Sequence, residues 1–467
     1  TMKIQIKNLG VLRQAEFSLG DMTILCGGNN TGKTYATYAL YGFLSLWRKE
    51  FSIGIHEDKI NRLFAEGVVH IDVSEYVKQA DQILSEGCKA YTKKLPMVFA
   101  AMADRFTETE FQVVLDTKDI RSAGKFDRKM RAANAELFSI SKCEESTELV
   151  ITLLVEKEKV KIPKDVVERI IADALKDIIF GHLFPNPFIA SAERTGAAIF
   201  RKELNFARNR LLEEMSQPDK NIDPIELLLK EYQDYALPVK ANVDFTRQLE
   251  TVARRSSFVA EKYHEVLSNF ADIIGGEYTV TRNDELCYVP KGKRVKLSMD
   301  ESSSAVRSLL DIGFYLRHVA QPGDLLMVDE PELNLHPENQ RRVARLFARL
   351  VNLGVKIFIT THSDYIIKEL NTLIMLKHGK PHLKRIAEKE GYLAEELLLA
   401  DKIKVYIAEE ASLLLDGNKN KSKCQTLIPA DISQEFGIEA RSFDTTIETM
   451  NRIQEEIVWG DDNHDRS

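Results

Sequence analysis

Residues 27–34 read Gly-Gly-Asn-Asn-Thr-Gly-Lys-Thr, a complete phosphate-binding loop. An apolar strand from Thr23 to Cys26 precedes it, and an apolar helix carrying Tyr38, Leu40, Tyr41 and Leu44 follows it. The pattern by itself recurs by chance; the strand before it and the helix after it give it meaning. Such a loop demands an α/β core, because its glycines let successive N–H groups close around a polyphosphate at the end of a strand. The helix N-terminus adds partial positive charge. Gly27, Gly28, Asn29, Asn30, Thr31 and Gly32 are expected to form the cradle for ATP. Lys33 would reach the β- and γ-phosphates, and the Thr34 hydroxyl would hold Mg²⁺.

Leu325-Leu326-Met327-Val328-Asp329-Glu330 has the form of a Walker B strand. Four apolar residues form its core and two acids project at its carboxyl end, where parallel sheets bind ligands. Asp329 is expected on Mg²⁺, and Glu330 to orient or deprotonate the attacking water. Lys356–Thr361 reads as the next buried strand. It ends at His362, a candidate contact to the γ-phosphate or its water, and Ser363 or Asp364 would cap the following helix. Upstream, Ser302, Ser303 and Ser304 sit at a predicted helix start, where hydroxyls, N–H groups and the helix dipole meet an anion.

The formal charge of −7 argues against a protein held to nucleic acid by bulk charge alone. Three local basic clusters remain: Arg121 to Arg131, Arg201 to Arg210, and Lys291 to Lys296. Few aromatic residues lie among them, so base stacking gains little support. Cysteines 26, 88, 143, 287 and 424 show no CxxC spacing and read as reduced, mostly buried thiols. No run of about 18 apolar residues marks a membrane span. Thr1-Met2-Lys3-Ile4 leads straight into a strand pattern, with Met2 as the natural start, so a cytoplasmic protein is expected.

Between the motifs, strands are predicted at His70–Val73 and Phe111–Leu115, and a helix at Lys164–Phe180. A hairpin is predicted from Leu149–Val155 and Val160–Ile162. Phe188–Gly196 should be a strand emptying into a polar loop, and Pro337 should open an amphipathic helix. Ile403–Ile407 and Cys424–Ile428 should flank a polar Asp416–Lys421 turn, with a last helix at Thr445–Val458. No heptad pattern supports a long coiled-coil arm. The Asp461–Asp465 cluster reads as a frayed acidic tail.

The order of phosphate loop, serine run, Asp-Glu strand and strand-end histidine resembles the ABC-type ATPase head of the SMC and OLD families. Pro331-Glu332-Leu333-Asn334-Leu335-His336-Pro337 after Asp329-Glu330 is similar to the acidic run of OLD-like ATPases. The resemblance covers about 1–45, 188–196 and 297–370. It departs in the triple serine, where the family has Leu-Ser-Gly-Gly-Gln, and in lacking a glutamine loop, for which the Ser191–Thr195 turn is the candidate. It implies an α/β fold: an ABC-type P-loop ATPase head with a mixed-sheet core and a mostly helical insertion. The expected division is 1–200 and 277–380 for the two parts of the head, 201–276 for the helical insertion, and 381–467 for an α/β extension that docks partners.

The same resemblance implies at least a homodimer, with Ser302–Ser304 serving the nucleotide of the other subunit. About 100 residues follow His362, and they carry no Toprim nuclease pattern. The chain is most similar to the stand-alone ATPase subunits of the Septu and retron-linked Septu anti-phage systems, with the PARIS ATPase second. Gly437–Ala440 and Phe443–Asn451 share in this likeness. It implies a separate nuclease partner of HNH type and possible contact with DNA or retron RNA/DNA, but no membrane. The alternatives are a DNA repair or recombination ATPase acting on DNA directly, and a nucleotide-gated scaffold with little turnover.

Overall fold

The computed structural model describes residues 2–116, 118–120, 124–132, 135–154, 163–200, 235–281, 285–415, 420–439 and 449–455. The strands are β1 (Lys3–Leu9), β2 (Leu12–Ser18), β3 (Met22–Cys26), β4 (Val68–Asp72), β5 (Glu110–Val114), β6 (Phe126–Ala132), β7 (Ala135–Lys142), β8 (Glu148–Leu153) and β9 (Pro187–Ala190). They continue as β10 (Gly276–Val280), β11 (Leu286–Pro290), β12 (Leu325–Asp329), β13 (Lys356–Thr361), β14 (Ile403–Leu414), β15 (Lys421–Pro429), β16 (Asp431–Ser433) and β17 (Gly437–Glu439). The chain forms two compact units, one of Thr1–Ser18, Tyr35–Phe188 and Leu229–Pro238, the other of Leu19–Thr34, Ile189–Leu228 and Val239–Ser467.

In the first unit β1 pairs antiparallel with β2 on one side and β5 on the other. Ile4 and Ile6 point into the core and their neighbours do not, as the period-2 pattern predicts. A second antiparallel sheet has the order β4-β8-β7-β6. Helix α1 (Lys33–Glu50) begins at the phosphate loop and buries Phe43, Leu44 and Trp47 in this unit. Phe43 lies 5.3–6.0 Å, ring to ring, from Phe51, Tyr91, Phe111 and Phe184. Such offset and edge-on contacts add to the burial of each ring.

The second unit is a mixed sheet of order β15-β14-β3-β13-β12-β9, flanked by helices. β14, β3, β13 and β12 run parallel, and β15 returns antiparallel to β14. Their near-continuous apolar runs are what a sheet covered on both faces requires; every residue of β3 and β12 is buried. Helix Pro337–Asn352 starts on a proline with His336 at its N-cap and buries Val343, Leu346, Phe347 and Leu350. Helix Asp364–Leu376 is capped by the Ser363 hydroxyl. Both helices follow the sequence pattern closely, as do β4, β5, β14 and β15.

One expectation needs correction, and one hairpin goes unannounced by the sequence pattern. β8 pairs with β4 on one edge and β7 on the other, while Val160–Ile162, its expected partner, lie outside the described residues. A hairpin that the pattern does not announce is β6–β7. Its charged face hides it in the sequence, since Arg128 pairs with Asp177 while Lys129 and Arg131 pair with Glu136. The polar loop predicted up to Gly196 is cut short by a helix, Arg194–Ile199. The cysteines are mostly buried, as expected: 26, 88 and 424 are buried, 287 is half-buried and 143 is exposed.

Other expectations fall beyond what is described. Arg121, the Arg201–Arg210 cluster, most of the Asp416–Lys421 turn and the Asp461–Asp465 cluster lie outside the described residues. So do Ala440 and the 443–448 part of the C-terminal likeness; residues 449–455 are helical within the predicted Thr445–Val458. Helices Leu237–Arg247, Leu249–Val252, Phe258–Lys262 and His264–Ile274 make up the described part of the predicted helical region. Among the described residues no helix is long and apolar enough to cross a membrane.

Phe43→Ala is expected to cost about 3–5 kcal/mol, because the ring is fully buried and its four aromatic neighbours cannot all collapse into the gap. Denaturant unfolding measures this; a loss below about 1 kcal/mol would show that the cluster does not hold the unit together.

Candidate functional site

The parallel register aligns the ends of three strands. Asp329 pairs with Thr360, and Thr361 with Cys26. The phosphate loop, Glu330 and His362 therefore all leave the sheet at one edge, the carboxyl edge where α/β proteins bind ligands.

Gly27 leaves β3 at φ +138, and a Cβ there would lie 2.6 Å from the Ala408 carbonyl on β14. Only glycine passes this point. Asn30 (φ +61) and Gly32 (φ +97) add two further left-handed turns, which curl the backbone as a phosphate cradle requires. Gly28, Asn29, Asn30 and Thr34 are exposed along it, and the Thr31 hydroxyl donates to the Gly28 carbonyl at 2.9 Å. Lys33 is only 7% exposed. Its Nζ donates to the carbonyls of Gly27 (2.9 Å) and Gly28 (2.6 Å). Burial pushes the ammonium's pKa below its ordinary range, against the opposing pull of Glu330, Asp329 and Glu332. One cation thus faces three carboxylates across the strand ends.

Asp329 closes β12 and is almost fully buried. Its carboxylate accepts a hydrogen bond from the Thr360 hydroxyl. Burial raises its pKa to about 6, with Thr360 acting against the rise and Glu330 adding to it. Glu330 adopts φ +51, a left-handed conformation that costs a non-glycine residue roughly 1–3 kcal/mol unless its surroundings impose it. Its N–H donates to the Thr360 carbonyl at 3.1 Å and hydroxyl at 3.2 Å.

His362 Nδ1 lies 3.3 Å from Glu332 Oε1 and 3.7 Å from Glu330 Oε1. Glu332 is itself buried, and its Oε1 accepts from the Thr361 hydroxyl and the His362 N–H, each at 2.8 Å. Its Oε2 has no hydrogen-bond partner. Glu332 and Thr360 stand inside motifs visible in the sequence, yet spacing assigns neither a role; only the strand register shows them touching Asp329, Glu330 and His362.

Arg194 lies in the Ser191–Thr195 turn, the candidate glutamine loop, but nothing in the sequence gives this residue a role of its own. It opens helix Arg194–Ile199 and is 1% exposed. Its Nε donates to Ser308 O (2.7 Å), Nη1 to Ser191 O (2.8 Å) and Asp329 O (2.6 Å), and Nη2 to Glu330 O (2.9 Å). Asn242 braces the same turn, accepting from Ser191 N–H and donating to Ile189 O and to Asp311. The Ser191–Thr195 turn thus packs against the Walker B acids. The hydroxyls of Ser191 and Thr195 are buried with no hydrogen-bond partner among the described residues.

The serine run stands apart in its contacts. Ser303 caps helix Ser304–Ser308 through Val306 N–H, and Ser302 donates to Ser298 O. Arg307 closes the loop onto the carbonyls of Met299 and Ser302. The hydroxyls of Ser302 and Ser303 thus bond within residues 298–306.

The donor set fits a nucleoside triphosphate with a divalent metal. A glycine-lined loop, a lysine and an exposed helix start face one buried carboxylate. Lys33 and the loop N–H groups would hold phosphates. Asp329 and Thr34 would hold the metal, whose positive charge would favour the ionised form of Asp329 that burial opposes.

A family model described as an AAA ATPase domain matches residues 2–367. Solved structures similar to this chain include the Smc head domain with an extended coiled coil bound to the C-terminal domain of ScpA, from Pyrococcus furiosus. It has 12% identity, covers 97% of this chain and 98% of that one, and gives a TM-score of 0.30. The SMC head domain from Thermotoga maritima has 11% identity, coverages of 92% and 98%, and a TM-score of 0.29. No curated protein matches the chain.

Asp311, braced by Asn242 and Thr246 (3.2 Å), sits behind this site with its pKa raised by burial from 3.8 to about 7. Between those values the folded state binds more protons than the unfolded state. The contribution of Asp311 to stability is therefore whole below about pH 4 and is lost as the pH rises to about 7. Asp311→Asn can keep both contacts by accepting from Asn242 and donating to Thr246. The variant should exceed wild type in stability by on the order of 2–4 kcal/mol at pH 8, with the gap closing near pH 4. Unfolding curves at the two pH values check this, and a gap independent of pH would show that Asp311 does not titrate between them.

Proposed function

The chain belongs to the AAA ATPase domain family, and from that premise we propose an ATP-hydrolysing, ABC-type subunit of an anti-phage defence complex that controls a separate nuclease. One observation carries the ATPase reading. Lys33, Asp329, Glu330, Glu332 and His362 converge at a single sheet edge, with the lysine in the field of all three acids.

In this reading Gly27–Gly32 and Lys33 bind the triphosphate, and Thr34 and Asp329 hold Mg²⁺, which offsets phosphate charge. Glu330 orients the attacking water and accepts its proton. His362, held by the Glu332 carboxylate, contacts the γ-phosphate. Ser302–Ser304 serve the nucleotide of a second copy, a role that suits a serine-capped helix start at which the Ser302 and Ser303 side chains bond locally. Head pairing would then follow ATP binding, and separation would follow hydrolysis. The region 381–467 is the proposed docking surface for the nuclease.

The defence role rests on the likeness of Asp329–Pro337 to OLD-like ATPases, and of a stand-alone head of this size with its C-terminal runs to Septu-type ATPase subunits. A second reading, an ATPase acting directly on DNA, draws on the exposed loop Lys291–Lys296 after β11.

Lys33→Ala should weaken ATP binding by about 10- to 100-fold, the worth of a charge-assisted contact. Glu330→Gln should keep binding and lower turnover by about 10²- to 10⁴-fold, the usual share of a general base. Fluorescent-nucleotide titration and phosphate release check both; equal turnover in Glu330→Gln and wild type would sink the assigned role of Glu330.

Affinity purification from the native host, with mass spectrometry and light scattering, tests the partner. A stoichiometric nuclease in a multi-subunit complex is expected. A bare dimer whose ATPase is stimulated by DNA, with a steep salt dependence, would shift the reading to the DNA-acting enzyme.

A further inference from the structure

Glu330 can act on water only if its side chain is aimed there, and its backbone stands in the left-handed region at φ +51. An L-residue stays in such a conformation when its neighbours hold the peptides on both sides. The peptide before Glu330 is held twice. Its N–H donates to Thr360 O and Oγ1, and its carbonyl, Asp329 O, accepts from Arg194 Nη1 at 2.6 Å. The peptide after it is held by Arg194 Nη2, 2.9 Å from Glu330 O. One guanidinium therefore grips both carbonyls that flank the Glu330 Cα.

The grip is anchored elsewhere. The same side chain donates to Ser191 O and Ser308 O, and the Ser191 loop is fixed by Asn242 through both its N–H and the Ile189 carbonyl. A planar fork of five donors suits this work, because its directions are rigid. It is a costly choice for mere packing, since burying an arginine requires that its charge be met on all sides. Ser308 ends the helix that begins at Ser304, so the arginine also ties the serine-led helix to the Walker B backbone.

We propose that Arg194 is a positioning residue for hydrolysis: by gripping Asp329 O and Glu330 O it holds Glu330 in its left-handed conformation and so aims the carboxylate at water. This deepens the ATPase reading above and rests on the role given there to Glu330. Lysine at 194 keeps the charge but cannot reach four carbonyls in one plane.

The test is a double-mutant cycle on the full chain with ATP and Mg²⁺. Arg194→Lys should lower kcat by about 10- to 100-fold, the scale of a roughly 1 Å misplacement, while KM stays within about threefold. In a Glu330→Gln background the same substitution should lower kcat by less than about twofold, since there is no longer a base to aim. A merely structural role predicts equal losses in both backgrounds, and that result would overturn the proposal. So would an unchanged kcat in Arg194→Lys.

Should Arg194→Lys fail to give a cooperative melt, Asn242→Ala decides. It loosens the Ser191 anchor and leaves the arginine in place, so it should show the same dependence on Glu330 with a smaller loss. Additive behaviour there overturns the proposal. If Glu330→Gln itself leaves wild-type turnover intact, the role of Glu330 falls and the role of Arg194 falls with it; if only the arginine cycle is additive, the ATPase reading stands alone.

Discussion

Three parallel strands ending level with one another are the constraint from which the site follows. The pairings Asp329 with Thr360 and Thr361 with Cys26 bring residues about 300 positions apart in the chain to one edge. A slip of one residue in any of these strands would turn its side chains to the opposite face and move its acid or histidine out of reach. The continuous apolar character of β3, β12 and β13 protects that register, because each is buried on both faces.

The second organising feature is charge taken out of water. Lys33 is buried facing Asp329, Glu330 and Glu332, and Arg194 facing these three and Asp311; for both cations burial favours loss of the charge and the carboxylates oppose it. Burial drives the lysine and the aspartates toward their neutral forms, while the opposite charges draw them back. Such clusters are costly to assemble and are concentrated where chemistry is done. The unpartnered Oε2 of Glu332 and the hydroxyls of Ser191 and Thr195 belong to the same region. Buried polar atoms without partners are rare in well-packed proteins, and here they accompany a site shaped for polar ligands and water.

Local pattern carried the reading of the phosphate loop, the Asp329-Glu330 strand end, the His362 position, the helix starts at the serine run and at Pro337, and the cap at Ser363 or Asp364. In each case the signal lies within a few consecutive residues, and the physics is local: a strand, a turn and a helix start. The β6–β7 hairpin escaped because its alternation is masked by Arg128, Lys129 and Arg131, whose acidic partners are 5 to 49 positions away. Leu149–Leu153 pair with β4 and β7, while Val160–Ile162, their expected partner, lie outside the described residues. A strand pattern states that a segment will pair and says nothing of which edge is already taken.

The chain by itself determined that a phosphate cradle, an acidic strand end and a strand-end histidine exist, because each is a short-range arrangement of backbone freedom, polarity and helix start. Only the tertiary structure decided that Lys33 lies in the field of Glu330, Asp329 and Glu332, that Glu332 holds His362, and that Arg194 grips the carbonyls on either side of Glu330. These are contacts between segments as much as about 300 residues apart, as Lys33 is from Glu332. They involve backbone carbonyls that every residue possesses, so no spacing of side-chain types can announce them. What selects them is the packing of β9, β12 and the serine-led helix, which leaves one buried position where a five-donor fork meets four carbonyls at once.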